Sequence, residues 1–122
     1  MARRRWRDYQ SARGTRPVRD FLRLLSDDDY ADVRAAMSDV AERGLSAARH
    51  LRGDIYEVRS TGDRVAYRVL FAAEGARGQV LLALEAFKKK TQKTPPATVA
   101  LAERRLRDWR SRTRIRPLTL YR

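Results

Sequence analysis

The 122-residue chain has no cysteine, which excludes disulfides, thiol chemistry and the usual zinc frameworks, and suits a reducing cytoplasm. It has a single histidine, His50, whose spacing assigns it no base role and which reads as a surface or capping residue. No GxxxxGK[ST] or GxGxxG occurs, so no nucleotide-binding loop is signalled. No apolar stretch approaches the roughly 20 residues that span a bilayer, and no membrane partner is expected. The basic start "MARRRWRDYQ" has no apolar run behind it, so no secretion signal is expected either. Carboxylates are scattered, and the three aspartates at 27–29 read as a helix start rather than a metal cluster. Neither a metal nor a cofactor is expected.

What the chain does have is positive charge, +13 net, and it is unevenly spread. Residues 86–122 carry 12 Lys/Arg against 2 acidic residues, leaving 16 against 13 in residues 1–85. General drift towards arginine would not spare the first two thirds of the chain. The asymmetry points to a polyanionic partner, nucleic acid ahead of an anionic membrane surface. An apolar fraction of 43% is enough for one folded domain at this length.

The apolar pattern divides the chain into elements. "RRRWRDYQ" alternates weakly and reads as a first strand. Thr15 is placed to cap a helix with Pro17 in its first turn, and Val18, Phe21, Leu22 and Leu25 recur on one helical face. Ser26 caps a second helix, whose stripe is Tyr30, Val33, Met37 and Val40 and whose end is Gly44. The period then shortens to two. "IYEVRS" and "VAYRVLFAA" read as a hairpin about "TGD", and "QVLLALEAF" reads as a central strand covered on both faces. Thr94, Pro95 and Pro96 open a last helix with Val99, Ala102, Leu106 and Trp109 inward. The order β-α-α-β-β-β-α is an α+β domain over residues 1–112, a small antiparallel sheet with helices packed on it. Residues 113–122 lack a period and read as a basic C-terminal extension.

Two arginines fall inside this sheet. Alternation puts Ile55, Glu57 and Arg59 on one face of their strand, and sets Arg68 on the face away from Val65, Tyr67, Val69 and Phe71. Glu57 pairing with Arg59 or Arg68 is one reading; a sheet face presenting guanidinium groups to phosphate is the other. Glu85 also reads as an arginine partner. Lys88, Lys89, Lys90 and Lys93 follow directly at the exit of the next strand and would extend the same surface. Such cations suit RNA cleavage without histidine or metal. The 2′-hydroxyl attacks, charge builds on the phosphate, and Arg and Lys stabilise it or move a proton.

The segments "L-x-G-x-x-x-E-V-R" (51–59), "Y-R-V" (67–69) and "F-x-K-K-T-x-K-T-P" (87–95), in this order and spacing, resemble the phage-derived RelE/HigB-like toxins of type II toxin–antitoxin systems. The resemblance runs from about Trp6 to Arg110. It implies a RelE-like fold, with two N-terminal helices and a C-terminal helix packed on a small antiparallel sheet. It also implies a ribosome-dependent mRNA endoribonuclease that inhibits translation, without a metal. The partners implied are mRNA on the ribosome and a helix-turn-helix antitoxin encoded by an adjacent gene, with operator DNA reached only through that antitoxin. Carried onto this sequence, the catalytic residues are Arg59, Arg68, Lys89 and Lys90. Arg68 would stabilise the scissile phosphate, Arg59 would support it, and the lysines would grip backbone or supply the proton. RNA binding would fall to Lys88, Lys93, Phe87, Arg104 and Arg105. Where related toxins often place Tyr or His near the end of the last strand, this chain has Phe87, which stacks but transfers no proton. Residues after Arg112 have no place in the family pattern.

Overall fold

The structure, a computed structural model, describes residues 4–60, 65–90 and 92–120, with residues 114–120 as backbone only. Strand β1 (Arg5–Asp8) leads into helices α1 (Pro17–Arg23) and α2 (Asp27–Arg43), then a 3-10 turn over Gly44–Ala47. Strands β2 (Arg49–Arg52), β3 (Ile55–Arg59), β4 (Tyr67–Glu74) and β5 (Val80–Lys88) follow, and α3 (Pro96–Leu120) ends the chain. The sheet order is β1-β5-β4-β3-β2. The α+β class holds, with two corrections of detail. β1 pairs parallel to β5, so the sheet is mixed, and the segment before β3 forms a short extra strand, β2, antiparallel to it. The turn expected at residues 61–63 lies outside the described residues.

Local chemistry accounts for the helix boundaries. The Ser26 hydroxyl accepts from the Asp29 N–H at 3.2 Å, and Asp27, Asp28 and Asp29 sit at the positive end of the α2 dipole. Gly44 ends α2 at φ +82°, where a side chain would be strained and would also collide with the Arg4 guanidinium. Thr15 caps nothing: Arg16 holds the position before α1 and makes no side-chain cap, and Pro17 alone sets the start.

The sheet is covered on both faces. On one, Val18 and Leu22 of α1 and Val33, Met37 and Val40 of α2 pack against Val69, Phe71, Leu81 and Ala83. The Trp6 indole N–H donates to the Met37 carbonyl at 2.7 Å, which ties β1 to α2. Tyr30, expected in the same stripe, is 42% exposed. On the other face Val99, Ala102 and Leu106 of α3 pack against Ile55, Leu70, Ala72, Leu82 and Leu84. Burial on both sides is why the β5 sequence is nearly continuous in apolar residues.

Much of the positive charge on α3 is used to fasten it. Arg110 binds Glu74 at 2.8 Å and Asp54 at 2.9 Å, and Arg52 binds Glu103 at 2.7 Å. The Tyr9 hydroxyl donates to Asp108 at 2.6 Å, and Arg112 donates to the same carboxylate at 2.9 Å. The backbone of α3 continues to Leu120, into the segment without a period. Hydrogen bonds from Arg112 and Tyr9 hold the Asp108 carboxyl below its ordinary value of 3.8, and the bond from Arg52 likewise lowers Glu103. Both contributions to stability are therefore complete above the ordinary carboxylate range and fade as pH falls through the lowered folded values. Amide exchange should show α3 loosening from the sheet at acid pH before β4 and β5 open.

Arg105 was expected to contact RNA, yet it is turned inward. β4 and β5 pair Leu70 with Glu85 but Phe71 with Ala83, so Leu84 is the extra residue of a bulge. Its carbonyl accepts from Arg105 Nη1 at 2.7 Å, and Glu85 pairs with the same guanidinium at 3.3 Å. Arg105→Ala should cost about 1–3 kcal/mol by orphaning that carbonyl, read as a lower urea midpoint.

Candidate nucleic-acid interface

The sheet face that carries Ile55, Leu70 and Leu82 under α3 carries charge near the strand ends. Register builds two rows there. Arg49 of β2 stands opposite Glu57 of β3, and Arg59 of β3 stands opposite Arg68 of β4, which in turn faces Phe87 of β5. Like charges directly opposed across a ladder repel. Glu57 relieves this from two residues along β3: its Oε1 accepts from Arg59 Nε at 3.0 Å, and its Oε2 lies 3.6 Å from Arg68 Nη1. Both pairings expected for Glu57 occur together, so one buried carboxylate holds two arginines, with Arg49 as its register neighbour.

The two arginines it holds differ in access. Arg68 is 1% exposed. Its Nη1 donates to the Thr94 hydroxyl and its Nη2 to the Gln92 carbonyl, both at 2.8 Å. Thr94 in turn donates to Glu57 Oε2, so it is a bridge and not the cap of α3; Pro95 supplies the first carbonyl of that helix. Burial pushes the Arg68 guanidinium down from its ordinary value, Glu57 opposes that shift, and the nearby charges of Arg59 and Arg49 add to it. Nη1 and Nη2 of Arg68, the residue expected to meet a scissile phosphate, are directed to Thr94 and Gln92 within the protein. Arg68 clamps the lysine segment to the sheet. The Arg59 side chain, by contrast, is 35% exposed and uses Nε on Glu57.

The lysines divide. The Lys89 N–H donates to the Ala66 carbonyl at 2.9 Å, continuing the ladder one residue beyond β5. Lys88 pairs with Tyr67, so alternation sets it on the α1/α2 face, away from Arg68, a correction to the single surface expected of the lysines. Lys90 and Lys93 are exposed, and Lys93 joins Arg49, Arg52, Thr94 and Pro96 around a cavity of about 210 Å³ at the start of α3. Phe87 packs half-buried beside the apolar residues under α3, and Arg104 is exposed on the outer surface of that helix. His50 is exposed in β2, its Nε2 2.8 Å from the Gly53 carbonyl. Among the described residues no group of three or more His, Cys, Asp or Glu is placed to hold a metal ion. Nor, among them, is any helix long and apolar enough to cross a membrane.

Sequence reasoning passed over Arg49 and misread Thr94. Arg49 precedes a turn in a polar stretch, and only β2–β3 pairing brings it to Glu57. The signal that was available is the "R-x-L-x-G" spacing ahead of β3.

With this geometry in place, the comparisons with known proteins give one result. Residues 20–107 match the family described as phage derived protein Gp49-like (DUF891). No curated protein matches the chain. The match covers well over half the sequence and includes the second half of α1, all of α2, the Glu57 cluster, the lysine segment and most of the sheet-facing turns of α3. The chain belongs to the Gp49-like family.

Proposed function

With membership of the Gp49-like family as the premise, we propose that this chain is the toxin of a type II toxin–antitoxin system. In this reading it is a metal-independent endoribonuclease that cuts mRNA on the ribosome and stops translation. The observation that carries it is the row Arg59–Arg68–Phe87, charge-balanced by buried Glu57 and continued by Lys89 and Lys90. It offers one partly open guanidinium, an aromatic face and two ammonium groups at one strand end.

The roles follow from access. Arg59, with Nη1 and Nη2 not used by Glu57 in the bond described, binds a phosphate oxygen and stabilises the charge that builds there as the 2′-oxygen attacks. The attack forms a 2′,3′-cyclic phosphate and expels the 5′-oxygen. An ammonium of Lys89 or Lys90 gives that oxygen its proton, while the 2′-hydroxyl proton passes to water. Glu57 is excluded as the base because its side chain has no exposure. Arg68 is a positioning residue: through Thr94 and Gln92 it sets the lysine segment against Arg59. Phe87 stacks on a base, and Arg49, Lys93 and the outward Arg104 hold flanking backbone. The neutralising partner is a helix-turn-helix antitoxin from an adjacent gene, and operator DNA is reached only through it.

A second reading is supported by Phe87, which cannot transfer a proton: the same cations grip RNA or ribosome without cutting. Controlled expression separates the two. Cleavage-linked growth arrest, rescued by the adjacent helix-turn-helix protein, supports the toxin. Salt-dependent binding with intact mRNA supports the binding module.

A further inference from the structure

On the opposite side of the sheet, a second basic site has a floor unlike that of the first. A cavity of about 310 Å³ opens between β1, α1 and α2, with Trp6, Val18, Leu22 and Met37 beneath it. Arg7, Arg16, Arg19, Arg23 and Arg34 form its rim. Arg16 is bonded to Asp8 and Arg19 to Asp20, and Arg7 lies 5.1 Å over the Trp109 ring. Arg23 and Arg34 make no ion pair among the described residues. Next to them stand the two large apolar side chains most exposed among the described residues, Leu24 at 86% and Tyr30 at 42%. Across β1 a further cavity of about 320 Å³ shares Trp6, Arg7, Asp8 and Arg16 and adds Trp109. The two make a trough along β1. That strand ends the sheet, pairing with β5 alone among the described residues, so no strand covers its other edge.

These features fit one kind of occupant. A nucleic-acid backbone would satisfy the arginines but leave the accessible apolar side chains there, half-buried Trp6 with Leu24 and Tyr30, without a partner. A peptide meets all three demands: main-chain hydrogen bonds to the strand edge, carboxylates for the rim, and a large side chain against Trp6, Leu24 and Tyr30. An unpaired strand edge is usually covered or blunted with charge. Here Asp8 and Asp20 are taken up by Arg16 and Arg19, and the excess over them is positive, which selects a partner of the opposite sign instead of repelling all strands. We propose that the β1 edge, with Trp6, Leu24 and Tyr30 as its apolar contacts and the Arg7, Arg23 and Arg34 rim, docks an extended acidic segment of a protein partner that carries one large apolar side chain. The site lies at the β1 end of the sheet, with β5 and β4 between it and the strand of Glu57 and Arg59, and stands whether or not the chain cuts RNA.

The test uses the whole chain and a displayed library of short random peptides. Selected peptides should be rich in Asp and Glu around one aromatic or large aliphatic residue. With net charge +13, acidic peptides will adhere in several places, so locus decides. In the ¹H–¹⁵N spectrum the Trp6 indole and the backbone signals of residues 24–30 should move. The Arg23→Glu/Arg34→Glu double variant should keep its dispersed spectrum and bind at least about tenfold more weakly. The proposal is overturned if no such peptide is enriched, or if the selected peptides shift Arg49–Arg59 and not Trp6. It is equally overturned if the double variant binds them unchanged, or if single-stranded RNA displaces them from Trp6. RNA cleavage by the same double variant should equal that of the parent chain, so loss of docking and loss of the nuclease reading give separate signatures.

Discussion

Glu57→Ala should lower the free energy of unfolding by about 3–5 kcal/mol, the range for removing one partner of a buried ion pair. The size follows from what Glu57 leaves behind. Arg68 is fully enclosed, and Arg59 faces it across the ladder with Arg49 nearby, so three positive charges would lose the one carboxylate set among them. Thr94 would lose its acceptor as well, releasing the lysine segment from the sheet. Urea unfolding followed by circular dichroism reads the loss as a fall in midpoint at constant slope. Glu57→Leu combined with Arg68→Met should recover most of the loss, since replacing both members of a buried pair by apolar groups is often close to neutral. A single-variant loss below about 1 kcal/mol would mean that the cluster is solvated and the sheet does not depend on it.

Arg59→Ala should reduce cleavage by about 10²–10³-fold, as expected for removing a charged donor from a developing oxyanion, while leaving the unfolding midpoint nearly unchanged. The separation rests on exposure: Arg59 is one third open, whereas Glu57 keeps Arg68 and Thr94 when Arg59 is gone. Arg59→Lys should recover part of the rate, since charge remains but the planar fork is lost. Arg68→Ala behaves differently. It should lower stability and activity together, because the clamp on Gln92 and Thr94 fails. If Arg68→Ala were stable and as active as the parent, the positioning role would be wrong. Cleavage is measured on a defined transcript in a translating lysate, against a catalytically inert protein of equal charge.

Several elements were legible because their causes are local. The Ser26 cap, the α2 stripe from Val33 to Val40, the continuous apolar β5 and the inner face of α3 each follow from residues a few positions apart. Strand alternation was enough to place Glu57, Arg59 and Arg68 on one face and to suggest their pairing. What was hidden depends on distant partners. The parallel pairing of β1 with β5 joins residues about 75 apart in the chain and leaves no periodic trace in four residues. β2, with the sequence RHLR, has no apolar alternation, and Arg49 reaches Glu57 only through it. Alternation should have separated Lys88 from Lys89, but a run of lysines invites treatment as a single loop. The depth of Arg68 was invisible, since burial there is made by Thr94 and Gln92 folding back over the strand end. Arg105 looked like a surface cation because a bulge, which sets its carbonyl partner free, cannot be read from apolar residues alone.

The most direct test is primer extension on mRNA in a translating lysate, with the parent chain and a folded Arg59→Ala variant side by side. Discrete new 5′ ends with the parent chain, absent with Arg59→Ala, are the predicted result. Intact mRNA with the parent chain, despite its binding to RNA or ribosomes, would contradict the nuclease reading. Cleavage undiminished in Arg59→Ala would contradict the site.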